Sequence, residues 1–337
     1  MSSESDTFRA RVTAVHKNRW EIDPGGSAVL GARMDGAPSE IPVVGDWVTA
    51  EVHGSLCRII GLEPRHGLLT RKRPGDVAHD AVVEQPIAAN VDLALLTMAI
   101  DDDYSLRRLE RYLTLAWDSG ATPIVILTKS DLAPSAHLSD LMTSVDTVAF
   151  GVRCIATSTS TGVGLDELRR ALEPGMVAVL LGSSGVGKSS LVNALAGTDR
   201  QAVTDVRDFD GKGRHTTTSR QLVPLPWGAY IVDTPGLREL QLWADEEALA
   251  SSFPDIAELA DDCRFRDCTH GSEPGCAVLS AVADGSLQEE RLENWRRLHR
   301  ELTYLARRVN PAAARAERQK WKSIARARRA LNKQRPD

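Results

Sequence analysis

The sequence predicts a multidomain chain: an N-terminal β-barrel, a central α/β domain with a mostly parallel sheet, and a C-terminal α-helical domain. Three observations predict it. Residues 7 to about 65 carry short alternating segments punctuated by Gly and Pro. From about residue 88, apolar strand-like runs alternate with helical periodicity. After about residue 240, only helical patterns remain.

In the first region, Phe8-Arg9-Ala10-Arg11-Val12 alternates, as does part of Asp46 to Val52, and Pro24-Gly25-Gly26, Gly36, Gly45 and Gly61 break the segments. Several short strands within about 70 residues suggest a small barrel of the oligonucleotide-binding (OB) type, assigned to residues 1–70. Arg71, Lys72, Arg73 and Pro74 read as a linker. The central domain, 71–240, places buried strands at Val91 to Met98, Pro123 to Leu127 and Met176 to Leu181. Helices fall on the Leu106, Leu109, Leu113, Trp117 and the Leu165, Leu168, Leu172 periodicities. Such alternation predicts helices on both faces of the sheet. In the third domain, 241–337, Ser286 and Glu289 have capping-box spacing. Leu292, Trp295, Leu298, Leu302 and Leu305 then form a stripe expected to pack onto the domain.

Composition narrows the class. Hydrophobic residues make up 42% and charged residues 26%, ordinary values for a soluble globular protein. No signal peptide is recognisable, and the apolar runs are shorter than the roughly 20 residues a membrane span needs. The expected location is the cytoplasm, with no membrane contact. Five cysteines, three of them clustered, fit a reduced protein with a metal site. The net charge of −5 is uneven: Pro311 to Asp337 holds nine basic residues against Glu317 and Asp337, so that tail is +7 and the remainder −12. The asymmetry suggests a polyanion partner, with a solvated terminal helix as the alternative.

Gly182-Ser183-Ser184-Gly185-Val186-Gly187-Lys188-Ser189, followed by Ser190, is a phosphate-binding loop between an apolar strand and a helix. Its glycines let backbone N–H groups wrap the α- and β-phosphates. Lys188 reaches the β- and γ-phosphates, and Ser189 offers a hydroxyl to Mg²⁺. Upstream, Thr128-Lys129-Ser130-Asp131 leaves a strand end, where a carboxylate can accept both hydrogens of guanine N1 and N2. The usual first residue of such a tetrad is Asn, whose amide braces the phosphate loop; Thr128 is expected to brace it less well. Ser158, in Ser158-Thr159-Ser160, is a candidate to give a backbone N–H to guanine O6. In ordinary GTPases the tetrad follows the phosphate loop. The reversed order here indicates a circularly permuted P-loop GTPase domain.

Downstream, Asp233-Thr234-Pro235-Gly236 suits the loop that senses γ-phosphate, with Asp233 holding Mg²⁺ through water and the Gly236 N–H on the phosphate. Gly211 to Thr218 suits a switch loop, with Thr217, then Thr216, as the metal contact. Leu237 cannot orient water where many GTPases carry Gln. His215 and Arg214 are the local candidates for chemistry, or alternatively for docking a partner's phosphates.

Cys263, Cys268, His270 and Cys276 have the spacing of a closed tetrahedral zinc site, one structural ion per chain. Cys57 and Cys154 read as core residues.

These motifs together resemble the ribosome small-subunit-dependent GTPase A family of circularly permuted bacterial GTPases. The resemblance rests on Thr128 to Asp131, Gly182 to Ser190, Gly213 to Thr217, Asp233 to Gly236 and the Cys263/Cys268/His270/Cys276 set, and it covers nearly the whole chain. It implies a monomeric cytoplasmic GTPase that binds GTP/GDP with Mg²⁺ and acts on the small ribosomal subunit late in maturation. It further implies contact with rRNA, subunit-stimulated turnover, and a catalytic role for His215. Two other readings stay open: an ATP-dependent P-loop enzyme, and a nucleotide-gated RNA-binding module with negligible turnover.

Overall fold

The computed structural model describes residues 7–16, 19–25, 30–34, 40–53, 56–72, 84–197, 220–233 and 246–309. The first five strands are β1 (Thr7–His16), β2 (Arg19–Asp23), β3 (Leu30–Met34), β4 (Trp47–His53) and β5 (Leu56–Leu62). Their pairing runs β1-β2-β3-β5-β4, and β4 returns to β1, so the barrel closes. The β3–β5 pair is parallel and the others antiparallel. This is the five-stranded Greek-key barrel of the OB type. Alternation fills it with Ala10, Val12, Trp20, Ile22, Val48, Ala50, Cys57 and Ile59.

Next comes a two-stranded ribbon, β6 (Leu68–Lys72) with β7 (Glu84–Ala89). Arg71 and Lys72, read from sequence as a linker, pair with Gln85 and Glu84 across this ribbon. The ribbon packs Leu69, Ile87 and Ala88 into the central core.

The central domain continues with β8 (Leu93–Ala99), α1 (Leu106–Asp118), β9 (Thr122–Thr128), α2 (Ser135–Asp146), β10 (Cys154–Ala156), α3 (Leu165–Ala171), β11 (Val177–Leu181), α4 (Lys188–Ala196), β12 (Arg220–Pro224) and β13 (Tyr230–Asp233). Spatial order is β10-β9-β8-β11-β13-β12, parallel except for β12. β8 and β11 are buried along their whole length, as strands covered on both faces must be. One core packs α1 and α2 on one face, and a second packs α3 and α4 on the other. β12 also pairs with β1 of the barrel, Ala14 opposite Gln221, which fuses the two sheets. Across that junction Arg11 lies between the rings of Trp47 and Tyr230 and donates to the Gly175 carbonyl at 3.1 Å.

The C-terminal domain is α5 (Glu246–Ser252), α6 (Pro254–Asp261), α7 (Ala277–Asp284) and α8 (Glu289–Val309). Leu292, Leu298 and Leu302 are buried as the stripe required, and Trp295 packs at its margin. The capping-box expectation fails. The Ser286 hydroxyl donates to the Ala281 carbonyl (3.2 Å), and α8 starts at Glu289 with Gln288 accepting its first bonds. This domain docks on α1 through buried charge: Arg291 bonds Glu110 (2.6 Å), Asp255 (2.7 Å) and the Ser252 carbonyl (3.4 Å), packed beside the rings of Phe150 and Phe253. Asn294 also bonds Glu110, and Arg111 pairs with Glu301. Among the described residues, no helix is long and apolar enough to cross a membrane.

Candidate functional site: a nucleotide crevice and a four-ligand metal site

The helix after β8 and the helix after β11 lie on opposite faces of the sheet although the two strands are neighbours. A crevice therefore opens at the carboxyl ends of these strands, the usual ligand position in a doubly wound sheet. The phosphate loop occupies it. A Cβ on Gly182 would stand 2.4 Å from the Thr97 carbonyl, so only glycine lets β11 turn out against β8. Gly187 holds φ at +96° and starts α4, aiming that helix's first N–H groups at the loop. Val186 is buried and anchors the loop, whereas Ser184 and Gly185 are exposed. The Lys188 ammonium crosses it and donates to the carbonyls of Gly182 (2.7 Å) and Ser183. Tyr112 of α1 is buried, which raises its pKa, and the nearby Ser183 side chain partly offsets that rise.

The tetrad sits on the next strand but one. Thr128 ends β9, Lys129 takes a left-handed φ of 60°, and Ser130 opens a single 3-10 turn. The Thr128 hydroxyl lies 2.6 Å from the Val186 carbonyl and 3.2 Å from that of Met98. Its one proton goes to the nearer partner, so Thr128, expected to brace the phosphate loop less well than Asn, still makes a direct bond to it. The Lys129 ammonium pairs with Asp101 at 2.7 Å, which holds the Asp101 carboxyl below its usual range.

The Ser158 hydroxyl, and less strongly that of Ser160, lowers the pKa of the Asp131 carboxylate. The two hydroxyls are 2.9 Å apart, and the Thr161 N–H donates to Ser158 Oγ. The Ser130 N–H binds the Thr157 carbonyl, tying the tetrad to the loop after β10. The Ser158 N–H, expected on guanine O6, donates instead to the Val163 carbonyl at 3.0 Å. The part of Ser158 that faces the site is its hydroxyl.

Thr128 to Asp131, Ser158 and Gly182 to Ser190 thus converge on one end of the sheet. The backbone of Asp233 ends β13, beside β11, at the same edge. The side chain of Asp233, together with Gly236, Leu237, Arg214, His215, Thr216, Thr217 and the basic tail, lies outside the described residues. Asp101 and Tyr112 were not foreseen, and Ser160 was named only as part of the Ser158-Thr159-Ser160 run. Nothing separates Asp101 from its neighbours in an Asp-Asp-Asp run until the fold sets it against Lys129.

The second site lies beyond α6. Cys263 and Cys268 flank a short turn, His270 follows with a left-handed φ of 54°, and Cys276 caps α7, accepting from the Leu279 N–H at 3.4 Å. All four donor atoms lie within 4.8 Å of one another. Cys263 Sγ is 3.8 Å from Cys276 Sγ and 3.7 Å from His270 Nδ1, and the Cys276–His270 separation is 3.4 Å. A tetrahedral zinc with Zn–S of about 2.3 Å sets sulfur–sulfur edges near 3.8 Å and sulfur–nitrogen edges near 3.6 Å. The donor set therefore fits a tetrahedral zinc ion with four protein ligands.

The loop is ordered from inside. Glu273 accepts the N–H groups of Thr269 (3.0 Å), Gly271 (2.8 Å) and Ser272 (3.0 Å) and the Thr269 hydroxyl (2.5 Å). The Thr269 hydroxyl contributes most to lowering its pKa to about 2. Arg296 donates to the His270 carbonyl, and Trp295 meets the His270 ring edge-on at 5.1 Å.

Comparison with known proteins agrees with this geometry. The chain is 42% identical over 331 residues to the small ribosomal subunit biogenesis GTPase RsgA 1 of Listeria innocua, covering 97% of this chain and 92% of that protein. The crystal structure of YjeQ from Thermotoga maritima superposes with a TM-score of 0.66 at 27% identity, covering 88% of this chain and 99% of that one. YloQ, described as a circularly permuted GTPase, shares the fold at 24% identity with a TM-score of 0.64, covering 90% and 98% of the two chains. The family model for the RsgA GTPase matches residues 62–243. With the permuted motif order on a conventional sheet and a relative aligned along almost its entire length, the chain belongs to the RsgA GTPase family.

Proposed function

We propose that this GTPase binds the small ribosomal subunit late in its maturation, contacts the subunit's rRNA and hydrolyses GTP faster when bound. The observation that carries this reading is the convergence of the Thr128–Asp131 segment with the phosphate loop, the Thr128 hydroxyl lying 2.6 Å from the Val186 carbonyl and the Ser158 hydroxyl lowering the pKa of Asp131. It occurs in a chain aligned over 97% of its length with a small-subunit biogenesis GTPase.

In this reading Asp131 accepts from guanine N1 and N2, Lys129 lines the base, and Lys188 neutralises the β- and γ-phosphates. Ser189, Asp233 through water, and Thr217 would hold Mg²⁺, which when bound would supply positive charge beside the β- and γ-phosphates. The Gly236 N–H senses the γ-phosphate, and His215 acts in chemistry because Leu237 cannot position water. The protein works as a cytoplasmic monomer, with one zinc ion fixing the Cys263–Cys276 loop. Leu237 also favours a second reading, a nucleotide-gated RNA-binding module with negligible turnover.

GTP turnover by the purified protein, with and without isolated small subunits and with ATP as control, separates the readings. Strong stimulation confined to GTP supports the proposal. No stimulation, or equal use of ATP, overturns it.

A further inference from the structure

We propose that the seam between the nucleotide domain and the zinc-bearing domain is a groove for an RNA phosphate backbone. Arg107 of α1 forms one wall, and Arg296, Arg297 and Arg300 of α8 form the other. The inference rests on the ribosome-assembly reading and assigns a place to its RNA contact.

The groove encloses about 890 Å³, and the zinc loop closes one end through Thr269 and Gly271. Its charge is unlike that of neighbouring arginines. Arg108 pairs with Asp103, Arg111 with Glu301, and Arg291 with Glu110 and Asp255, all within the fold. The four groove guanidiniums have no such carboxylate among the described residues. Arg296 and Arg300 donate only to backbone carbonyls, of His270 and Arg296, which leaves their charge uncompensated. Arg107 and Arg297 are exposed. The one carboxylate lining the groove is Glu293. In a chain of net charge −5, four uncompensated guanidiniums around one concavity are a local arrangement rather than general basicity.

The shape of the lining selects the partner. Planar guanidinium forks match phosphate oxygens two at a time. Trp295 and His299 line the same groove with their rings stacked at 4.9 Å and 6°, half-buried, which presents a flat face to a base. Phosphate forks beside a stacking surface fit a nucleic-acid strand better than an acidic peptide.

The position selects a consequence. A strand that contacts Arg107 and α8 together binds the two domains at one spacing. α1 also carries Tyr112 against Ser183 of the phosphate loop, so occupancy of the groove bears on the nucleotide site through one rigid helix.

The test uses the full zinc-loaded chain, a short single-stranded RNA and isolated small subunits. Binding of the RNA is measured across a salt series for wild type, Arg107→Gln, the Arg297→Gln/Arg300→Gln double variant and Glu293→Gln. Each lost phosphate contact should flatten the log–log salt slope by about 0.7. The arginine variants should therefore bind several-fold more weakly with flatter slopes, and their subunit-stimulated turnover should fall. Glu293→Gln should bind more tightly, a gain that misfolding cannot produce. Wild-type slopes and affinities in all variants overturn the groove, and so does displacement of the RNA by polyglutamate at equal charge concentration. If wild-type turnover responds to subunits while the variants match it, only the groove assignment fails. If wild-type turnover ignores subunits, the assembly reading fails, and the RNA slopes still decide the groove.

Discussion

Glu110 tests how the two domains are joined. The residue is 3% exposed, and its carboxylate shares one guanidinium, that of Arg291, with Asp255. Burial drives its pKa up, Arg291 and Asn294 pull it back part of the way, and Asp255 opposes them; the result is about 7 against an ordinary 4.5. Between those two values the folded chain keeps a proton that the unfolded chain has released. Stability therefore falls as pH rises through this window, and above it the carboxylate costs about 3 kcal/mol. Glu110→Gln keeps the shape and cannot ionise. The other titrating groups, zinc ligands included, are common to both proteins and cancel in their difference. Urea unfolding from about pH 5 to about pH 8 should show that difference moving in favour of the variant by most of those 3 kcal/mol. A gap that does not change with pH would refute the reasoning. If the variant is less stable by about 3–5 kcal/mol throughout, Glu110 is ionised at every pH and the Arg291 pair dominates.

Three further outcomes follow from the site. Thr128→Val removes the proton bound to the Val186 carbonyl, a loss of about 1–3 kcal/mol, so GDP affinity measured by fluorescence titration should fall at least several-fold, with Thr128→Asn restoring it. Asp131→Asn replaces an acceptor by a donor against guanine N1 and N2 and should weaken GTP binding by at least about tenfold, with ATP binding unchanged; unaltered GTP affinity would remove the guanine assignment. Glu273→Ala frees the zinc loop, so chelator-driven zinc release should accelerate and the melting temperature should drop at neutral pH. The sign follows from its depressed pKa: the Glu273 contribution is complete above about pH 4.5 and is lost as pH falls towards about 2.

What the sequence reveals follows the range of the interactions. Strands β8, β9 and β11 were legible because a strand buried on both faces must be apolar throughout, and the barrel because a strand buried on one face must alternate. The Cys263, Cys268, His270 and Cys276 cluster was legible because its four donors lie within fourteen consecutive residues. Features set by distant pairing were not. Lys72 joins a strand only because Glu84 lies opposite, and the chain between them gives no hint of it. Ser286 has capping spacing, yet its hydroxyl is taken by Ala281 from the preceding helix. Asp101 and Lys129 are 28 residues apart and meet only because β8 and β9 are neighbours. The groove is the extreme case, since Arg107 and the α8 arginines share a wall only after the C-terminal domain has docked on α1.

The permutation has a mechanical meaning that the motif order alone does not convey. The sheet keeps one spatial order however the chain is threaded, so the nucleotide crevice needs no redesign. What changes is the place where the chain enters and leaves. It enters β8 from the barrel and its ribbon, and it leaves β13 at Asp233 toward the C-terminal helices. The segment between the phosphate-loop helix and β13 returns through β12, which is hydrogen-bonded to β1 of the barrel. Each appended domain is thus tied directly to the nucleotide domain: the barrel through the β12–β1 ladder and Arg11, the C-terminal domain through the chain leaving β13 and the Arg291 cluster on α1. In an unpermuted chain the segment after β13 would run on to β8, and the zinc domain would lose this covalent connection to the Asp233 motif.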